Sequence, residues 1–203
     1  MRLLLATNNA HKAREIREIL NGSFSELLTM REAGVELDVT EDGETFAENA
    51  LKKARETLAY TGDRFDAVLA DDSGLCVDAL DGAPGVYSAR FSGEAHNDAA
   101  NNQKLIALLK DVPDEQRTAQ FVCCVALARR NAPPIVVQGE VEGVILHESR
   151  GENGFGYDPY FFYAPYGKSF AELSADEKNA VSHRKRALMK LREALDVENR
   201  RRF

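Results

Sequence analysis

Residues 2–20 read RLLLATNNAHKAREIREIL, and the change of period inside this stretch decides the fold class. RLLLA is apolar and of strand length, TNN is polar punctuation, and Ala13, Ile16, Ile19 and Leu20 then recur at helical spacing. Asn21-Gly22 is a helix stop. The triplet NGS at 21–23 also matches a glycosylation sequon, but with no secretion signal it reads as the turn that ends the helix.

The same alternation continues outward from this start. Thr45 opens a second helix through the capping box TFAE, and Ala50, Leu51, Ala54 and Leu58 extend its apolar face until Thr61-Gly62 ends it. AVLA from Ala67 is a short buried strand that leaves the core at DDSGL, and LDGAPG (80–85) is a loop of turn-forming residues. A third helix is predicted over 98–110. TAQFVCCVALAR (118–129) and PIVVQGEVEGVILHE (134–148) are long strands placed to pair across RNAPP. GENGFGYDP (151–159) is a Gly-rich loop and YFFYAP (160–165) a further short strand. Ser174 then opens one long final helix through a second capping box, SADE, with Leu188, Leu191 and Leu195 facing inward. The order implies an α/β fold, a mixed sheet with helices on its faces, with function carried by the longest loops.

With 203 residues, 44% of them hydrophobic, and neither a repeat nor a linker, the chain is expected to form one domain over 1–203. The 26 Lys and Arg against 33 Asp and Glu give a net charge of −7, which argues against a nucleic-acid-coating or membrane-surface protein. The charge is uneven: residues 178–203 carry +6 and residues 1–177 carry −13. Cys76, Cys123 and Cys124 are odd in number, and the adjacent pair would point to opposite faces of a strand, so no disulfide framework is expected. The apolar run LLLA is too short for a signal-peptide core and no membrane-length apolar stretch follows. These features together lead to the expectation of a soluble, cytoplasmic protein.

Several phosphate-handling signatures are absent. Gly167-Lys168-Ser169 has Phe162 where a Walker A loop needs its first glycine, and Gly154 and Gly156 lack the third glycine and the following helix of a dinucleotide fingerprint. No HExxH, paired CxxC or GxSxG occurs. What remains are polar residues at the ends of elements. TNNAHK (7–12) places unpaired N–H groups and Lys12 at a helix start, where they would suit a phosphate; alternatively Thr7 and Asn8 cap the helix and Lys12 is solvated. Asp71 and Asp72 are adjacent acids that strand alternation aims apart, so one faces any given site. With Glu41, Glu44 or Glu48 such an acid would hold Mg²⁺ or take a proton from water; otherwise these are ordinary turn and cap acids. Arg184 falls on the inward stripe of the last helix with Lys178 at its edge, and needs either a protein carboxylate or a ligand oxygen; His183 lies off the stripe. Phe155 and Tyr157 in the Gly-rich loop are either core residues or a stacking platform for a planar ligand.

TNNAHK, TFAENALKKA, ADDSGL, GAPGVYSARFSG, GFGYDP and SHR stand in the order seen in the inosine triphosphate pyrophosphatase family, and the chain resembles that family over essentially its whole length. The resemblance implies an elongated mixed sheet flanked by helices, with two lobes and a central cleft, in a cytosolic homodimer with no stable nucleic-acid partner. It implies Mg²⁺-dependent hydrolysis of noncanonical purine triphosphates (ITP, dITP, XTP) to monophosphate and pyrophosphate, which keeps them out of DNA and RNA. Carried onto this sequence, Thr7, Asn8, Asn9, Ala10, His11 and Lys12 would bind the triphosphate. Glu41 and Asp72 would hold Mg²⁺, Asp72 would also accept the proton of the attacking water, and Ser73 would touch substrate. Phe155, Gly156, Tyr157, Asp158, Lys178, His183 and Arg184 would form the nucleotide and base pocket. A related reading keeps the chemistry and assigns pyrimidine or modified-base triphosphates.

Overall fold

The computed structural model describes residues 1–20, 22, 24–94 and 97–200; Asn21 and Ser23 of the expected turn, and the last three residues of the basic tail, lie outside them. Among the described residues the strands form one seven-stranded sheet, and its order follows from how the chain returns. β1 (Arg2–Leu5) lies between β2 (Glu26–Thr29) and β3 (Ala67–Val77) and is parallel to both. Parallel neighbours need crossovers, and these are α1 (Ala10–Ile19) and α2 (Phe46–Tyr60). After α3 (Asp98–Leu108) come β4 (Thr118–Arg129), β5 (Ala132–Ile145), β6 (Phe161–Tyr163) and β7 (Lys168–Ser169), giving the order β2-β1-β3-β4-β5-β6-β7. The β5–β6 and β6–β7 pairs are antiparallel, so the sheet is mixed, as the pattern implied. α4 (Ala175–Val181) and α5 (His183–Arg200) complete the chain.

The chain divides into two compact units, the first made of Met1–Asp72, Cys123–Gly139 and Arg184–Phe203, the second of Ser73–Val122 and Glu140–His183. In the first unit the strand pleat sorts the core. Leu3, Leu5, Leu69, Val125 and Leu127 pack with Ile16 and Ile19 of α1 and with Ala187, Leu188 and Leu191 of α5. Their alternates Leu4, Val68, Ala70 and Ala126 pack with Ala50 and Ala54 of α2. Successive side chains point to opposite faces, so helices cover both. Cys123 and Cys124 follow the same rule into separate clusters as free thiols, and burial pushes the Cys124 thiol up to about 11. In the second unit Leu75, Leu105, Val141 and Ile145 pack around an aromatic group, with the Phe121 and Phe161 ring centres 4.5 Å apart.

The structure departs from the sequence reading in three places. β3 does not end at Ala70 but runs through both aspartates to Val77, because each acid finds a buried partner and the pleat continues. The final helix is two helices: Ser182 takes φ −63° and ψ 153°, which breaks the helical ladder, and a serine in extended geometry is a favoured residue ahead of a new helix start. The register of α5 is therefore reset, and both His183 and Arg184 are buried. β2 is a strand that the sequence pattern does not mark, because four residues with only Leu27 and Leu28 apolar carry too little period.

Leu69 is buried where β3 meets α1 and α5. Leu69→Ala is expected to cost about 2–5 kcal/mol, read as a lower urea midpoint at unchanged slope.

Candidate active site

The loop between β1 and α1 is built by its own side chains. Asn9 is the cap: its Oδ1 accepts from the N–H groups of His11 (2.9 Å) and Lys12 (3.1 Å), and Thr7 Oγ1 accepts from Asn9 N–H (3.1 Å). The cap role considered for Thr7 and Asn8 thus falls to their neighbour. Thr7, Asn8, Asn9, Ala10 and Arg14 line a groove of about 970 Å³ along α1. His11 is exposed, and Lys12 turns its ammonium to Asp71 Oδ2, 3.1 Å away.

At Asp71 and Asp72 the pleat separates two functions. Asp71 continues the Ala67–Leu69 row toward α1 and α5, where its Oδ2 accepts from Lys12 and, at 3.3 and 3.4 Å, from Nη2 and Nε of Arg184. Arg184 also pairs with the buried Glu15. The acceptors required by this buried cation are therefore protein carboxylates. Burial alone would raise the Asp71 carboxyl, but Lys12, Arg184 and Lys53 hold it well below the usual carboxylate range. Arg184 is correspondingly held in its charged form: desolvation opposes the charge, and Asp71 and Glu15 outweigh it.

Asp72 continues the Val68–Ala70 row toward α2, and its Oδ2 accepts from Asn49 Nδ2 (3.0 Å). Asn49 Oδ1 in turn accepts from Gly43 N–H (2.8 Å), and a Cβ at Gly43 would lie 2.8 Å from that oxygen, so the close approach requires glycine. Burial, and then the charge of Glu41, push Asp72 up from its ordinary value. One turn along α2 from Asn49, Lys53 pairs with Glu41 and donates to the Asp71 carbonyl (3.1 Å). Glu48 accepts from the Glu44 (2.9 Å) and Thr45 (3.1 Å) N–H groups and so serves the cap of α2, while Glu44 is exposed.

In the second unit the Gly-rich loop closes on Asp158. Its Oδ2 accepts from Phe155 N–H (2.9 Å) and from the buried Lys178 Nζ (2.6 Å), which also lies 4.7 Å from the centre of the Phe155 ring. Gly154 has φ +79°, and a Cβ there would stand 2.1 Å from Asp158 Oδ2, so only glycine fits. Tyr157 is buried and donates to the Ser88 carbonyl (2.8 Å), a core role, whereas Phe155 is half-buried. His183 stacks on Phe121 with centres 5.0 Å apart, and Ser73 is half-buried in β3.

The structure thus gathers Lys12, Glu41, Asp71, Asp72 and Arg184 in the first unit and Phe155–Asp158 with Lys178 and His183 in the second. It adds Glu15, Asn49 and Lys53, which the sequence reading missed. Their signal was spacing: Glu15 lies one turn from Lys12 on α1, and Asn49 and Lys53 are four apart on α2 within TFAENALKKA. Among the described residues no group of three or more His, Cys, Asp or Glu could hold a metal ion. Asp72 and Glu41 are carboxylates, and the charge of Glu41 adds to the cost of ionising Asp72; one or two carboxylates completed by substrate phosphates is how Mg²⁺ is commonly held. That donor set fits a hard dication.

Residues 3–194 match the model of the Ham1 family. The chain belongs to that family. A dITP/XTP pyrophosphatase of Clostridium perfringens is 50% identical over 197 residues, covering 96% of this chain and 97% of its own. Another, from Geobacter sulfurreducens, is 52% identical over 194 residues, 96% of each chain. The solved Ham1 protein of Staphylococcus aureus matches with a TM-score of 0.86 at 37% identity, covering 98% of this chain and all of that one. Family and α/β fold agree with the resemblance carried by the six motifs. No helix among the described residues is long and apolar enough to cross a membrane.

Because Asp71 is depressed in the folded state, the unfolded chain binds its proton first on acidification. Its contribution is present above the unfolded value of about 4 and is lost as pH falls through the folded value. Unfolding free energy measured by denaturant is expected to fall below about pH 4, and less steeply in Asp71→Asn. That variant should also lose about 3–5 kcal/mol at pH 7 by removing the buried carboxylate that Lys12 and Arg184 share.

Proposed function

We propose that the protein hydrolyses noncanonical purine nucleoside triphosphates (ITP, dITP and XTP) to the monophosphate and pyrophosphate with Mg²⁺, keeping these nucleotides out of DNA and RNA. The observation that carries the reading is the split at Asp71-Asp72: one aspartate orders cations, and its neighbour is a buried carboxylate raised toward the range of a proton acceptor. The relatives at about half identity, each a dITP/XTP pyrophosphatase, supply the substrate class.

In this mechanism Thr7–Lys12 take the triphosphate at the start of α1, where the positive end of the helix dipole and Lys12 face an anion, and Asn9 already caps the His11 and Lys12 N–H groups. Asp72 and Glu41 would hold Mg²⁺, which neutralises phosphate charge when bound. Asp72, fixed by Asn49, takes the proton of the attacking water. The bond between the α and β phosphates breaks, and pyrophosphate leaves with the bonding pair. Ser73 touches substrate. Phe155, Gly156, Tyr157 and Asp158, with Lys178, shape the base pocket. His183 would present a donor that accepts a 6-oxo purine and opposes the 6-amino group of adenine, and Arg184 would have to share with the base a guanidinium already paired to Asp71 and Glu15. Such an unpaired arrangement discriminates by roughly a hundredfold or more. The working form is a cytoplasmic homodimer, each copy a single domain over 1–203.

The test is a panel of purine and pyrimidine triphosphates with Mg²⁺, scored for pyrophosphate. Release from ITP and XTP well above ATP and UTP is expected; absence of pyrophosphate from every purine would overturn the reading. Asp72→Asn is expected to lower kcat at least about a hundredfold with nucleotide binding largely kept.

A further inference from the structure

α3 is not among the six motifs, yet its first turns hold the loop that carries one of them. Asp98, the first residue of α3, accepts from Gly156 N–H at 2.7 Å. Asn102, four residues on, donates from Nδ2 to the Gly156 carbonyl at 2.9 Å. Side chains four apart share a helix face, so one face of α3 takes both polar groups of a single residue. That residue sits at φ +63°, in the left-handed region that orients its two peptide planes for such a grip.

The orientation of the Asn102 amide is dictated by this contact. Its Oδ1 is buried without a hydrogen-bond partner, and turning the amide round would set that oxygen against the Gly156 carbonyl. α3 is itself anchored. Asn97 caps it by accepting from Ala100 N–H (3.0 Å), and the buried Asn101 accepts from Ser92 N–H (2.7 Å). Asn101 also donates to the Ser88 carbonyl (3.4 Å), the group that receives the Tyr157 hydroxyl. Leu105 ties the helix to the core of the second unit. The loop is thus fixed from within by Asp158 and from outside, at Gly156 and Tyr157, by α3 and the segment packed on it.

We propose that Asp98 and Asn102 are positioning residues, clamping the Gly156 peptide so that the 155–158 loop is set for the nucleotide base before it binds. This rests on the base-pocket role given above to that loop. A loop released at Gly156 samples more conformers, and ligand binding must then restore the order. The loss therefore falls on KM, while bond breaking, which involves the first-unit residues, is spared.

The experiment compares Asp98→Ala, Asp98→Asn and Asn102→Asp in two readouts: ITP kinetics, and amide hydrogen exchange of the 154–157 segment in ligand-free protein. Asp98→Ala is expected to raise KM about tenfold with kcat within about twofold, and to speed exchange at Gly156. Asp98→Asn keeps an oxygen acceptor and is expected to restore both. Asn102→Asp is nearly isosteric but sets a carboxylate against a carbonyl, and is expected to impair both. Unchanged exchange in Asp98→Ala and Asn102→Asp overturns the clamp, as does an Asp98→Asn variant as impaired as the alanine one. Faster exchange with unmoved KM for ITP overturns the positioning role. Should wild-type protein release no pyrophosphate from any purine triphosphate, the functional reading fails by itself, and the exchange data still decide the clamp.

Discussion

The first unit depends on neutralising one buried carboxylate. Asp71 lies on a central strand with almost no solvent contact, and a carboxylate so placed costs several kcal/mol unless it is paired. Lys12 reaches it from α1, Arg184 from α5, and Lys53 adds its field from α2. Three helices distant in sequence are thus tied to one residue of β3, two at its carboxylate and one at its carbonyl. The surplus positive charge is in turn answered by Glu15 and Glu41. Removing any member leaves an unbalanced charge in a region of low dielectric, so the set is expected to hold as a unit.

The pleat makes this arrangement possible without a dedicated loop. Consecutive residues of β3 face opposite sides, so two adjacent aspartates enter different surroundings: cations on the α1 and α5 side, an amide and a neighbouring acid on the α2 side. Identical side chains are driven in opposite directions, one held ionised and the other raised. Had the strand ended at Ala70, as its apolar run suggested, nothing would enforce that division. The longer strand is what gives the two carboxylates separate chemistry.

What was legible in the sequence was local. The capping boxes at Thr45 and Ser174, the strand over 118–129 and the Gly-rich loop are encoded within a few residues and appear as read, while the next strand runs Ala132–Ile145 and takes in part of the expected RNAPP loop. What was not legible depends on partners far along the chain. The break at Ser182 was hidden because His183–Leu195 continue a plausible apolar face, and only the structure shows the register reset. Glu15, Asn49 and Lys53 look like ordinary helix residues until their contacts at Arg184, Asp72 and Glu41 are known. The Gly156 contacts with α3 join residues 54 and 58 positions apart, beyond any periodic signal.

The uneven charge acquires a physical meaning from these contacts. A chain at −7 would repel a triphosphate at long range, yet Lys12 and Lys53 are already charged, partly desolvated and held by carboxylates. For phosphate oxygens to meet these cations, carboxylate contacts must be shared or exchanged, so the gain is the difference between two charge-assisted bonds and not a whole one. That difference would be small for a monoanion and larger for a ligand that presents several oxygens at once and brings a dication to Asp72 and Glu41. Under the proposed function the arrangement would favour a triphosphate that carries a dication over a single phosphate, because the former would answer both the cations and the acids that pair with them.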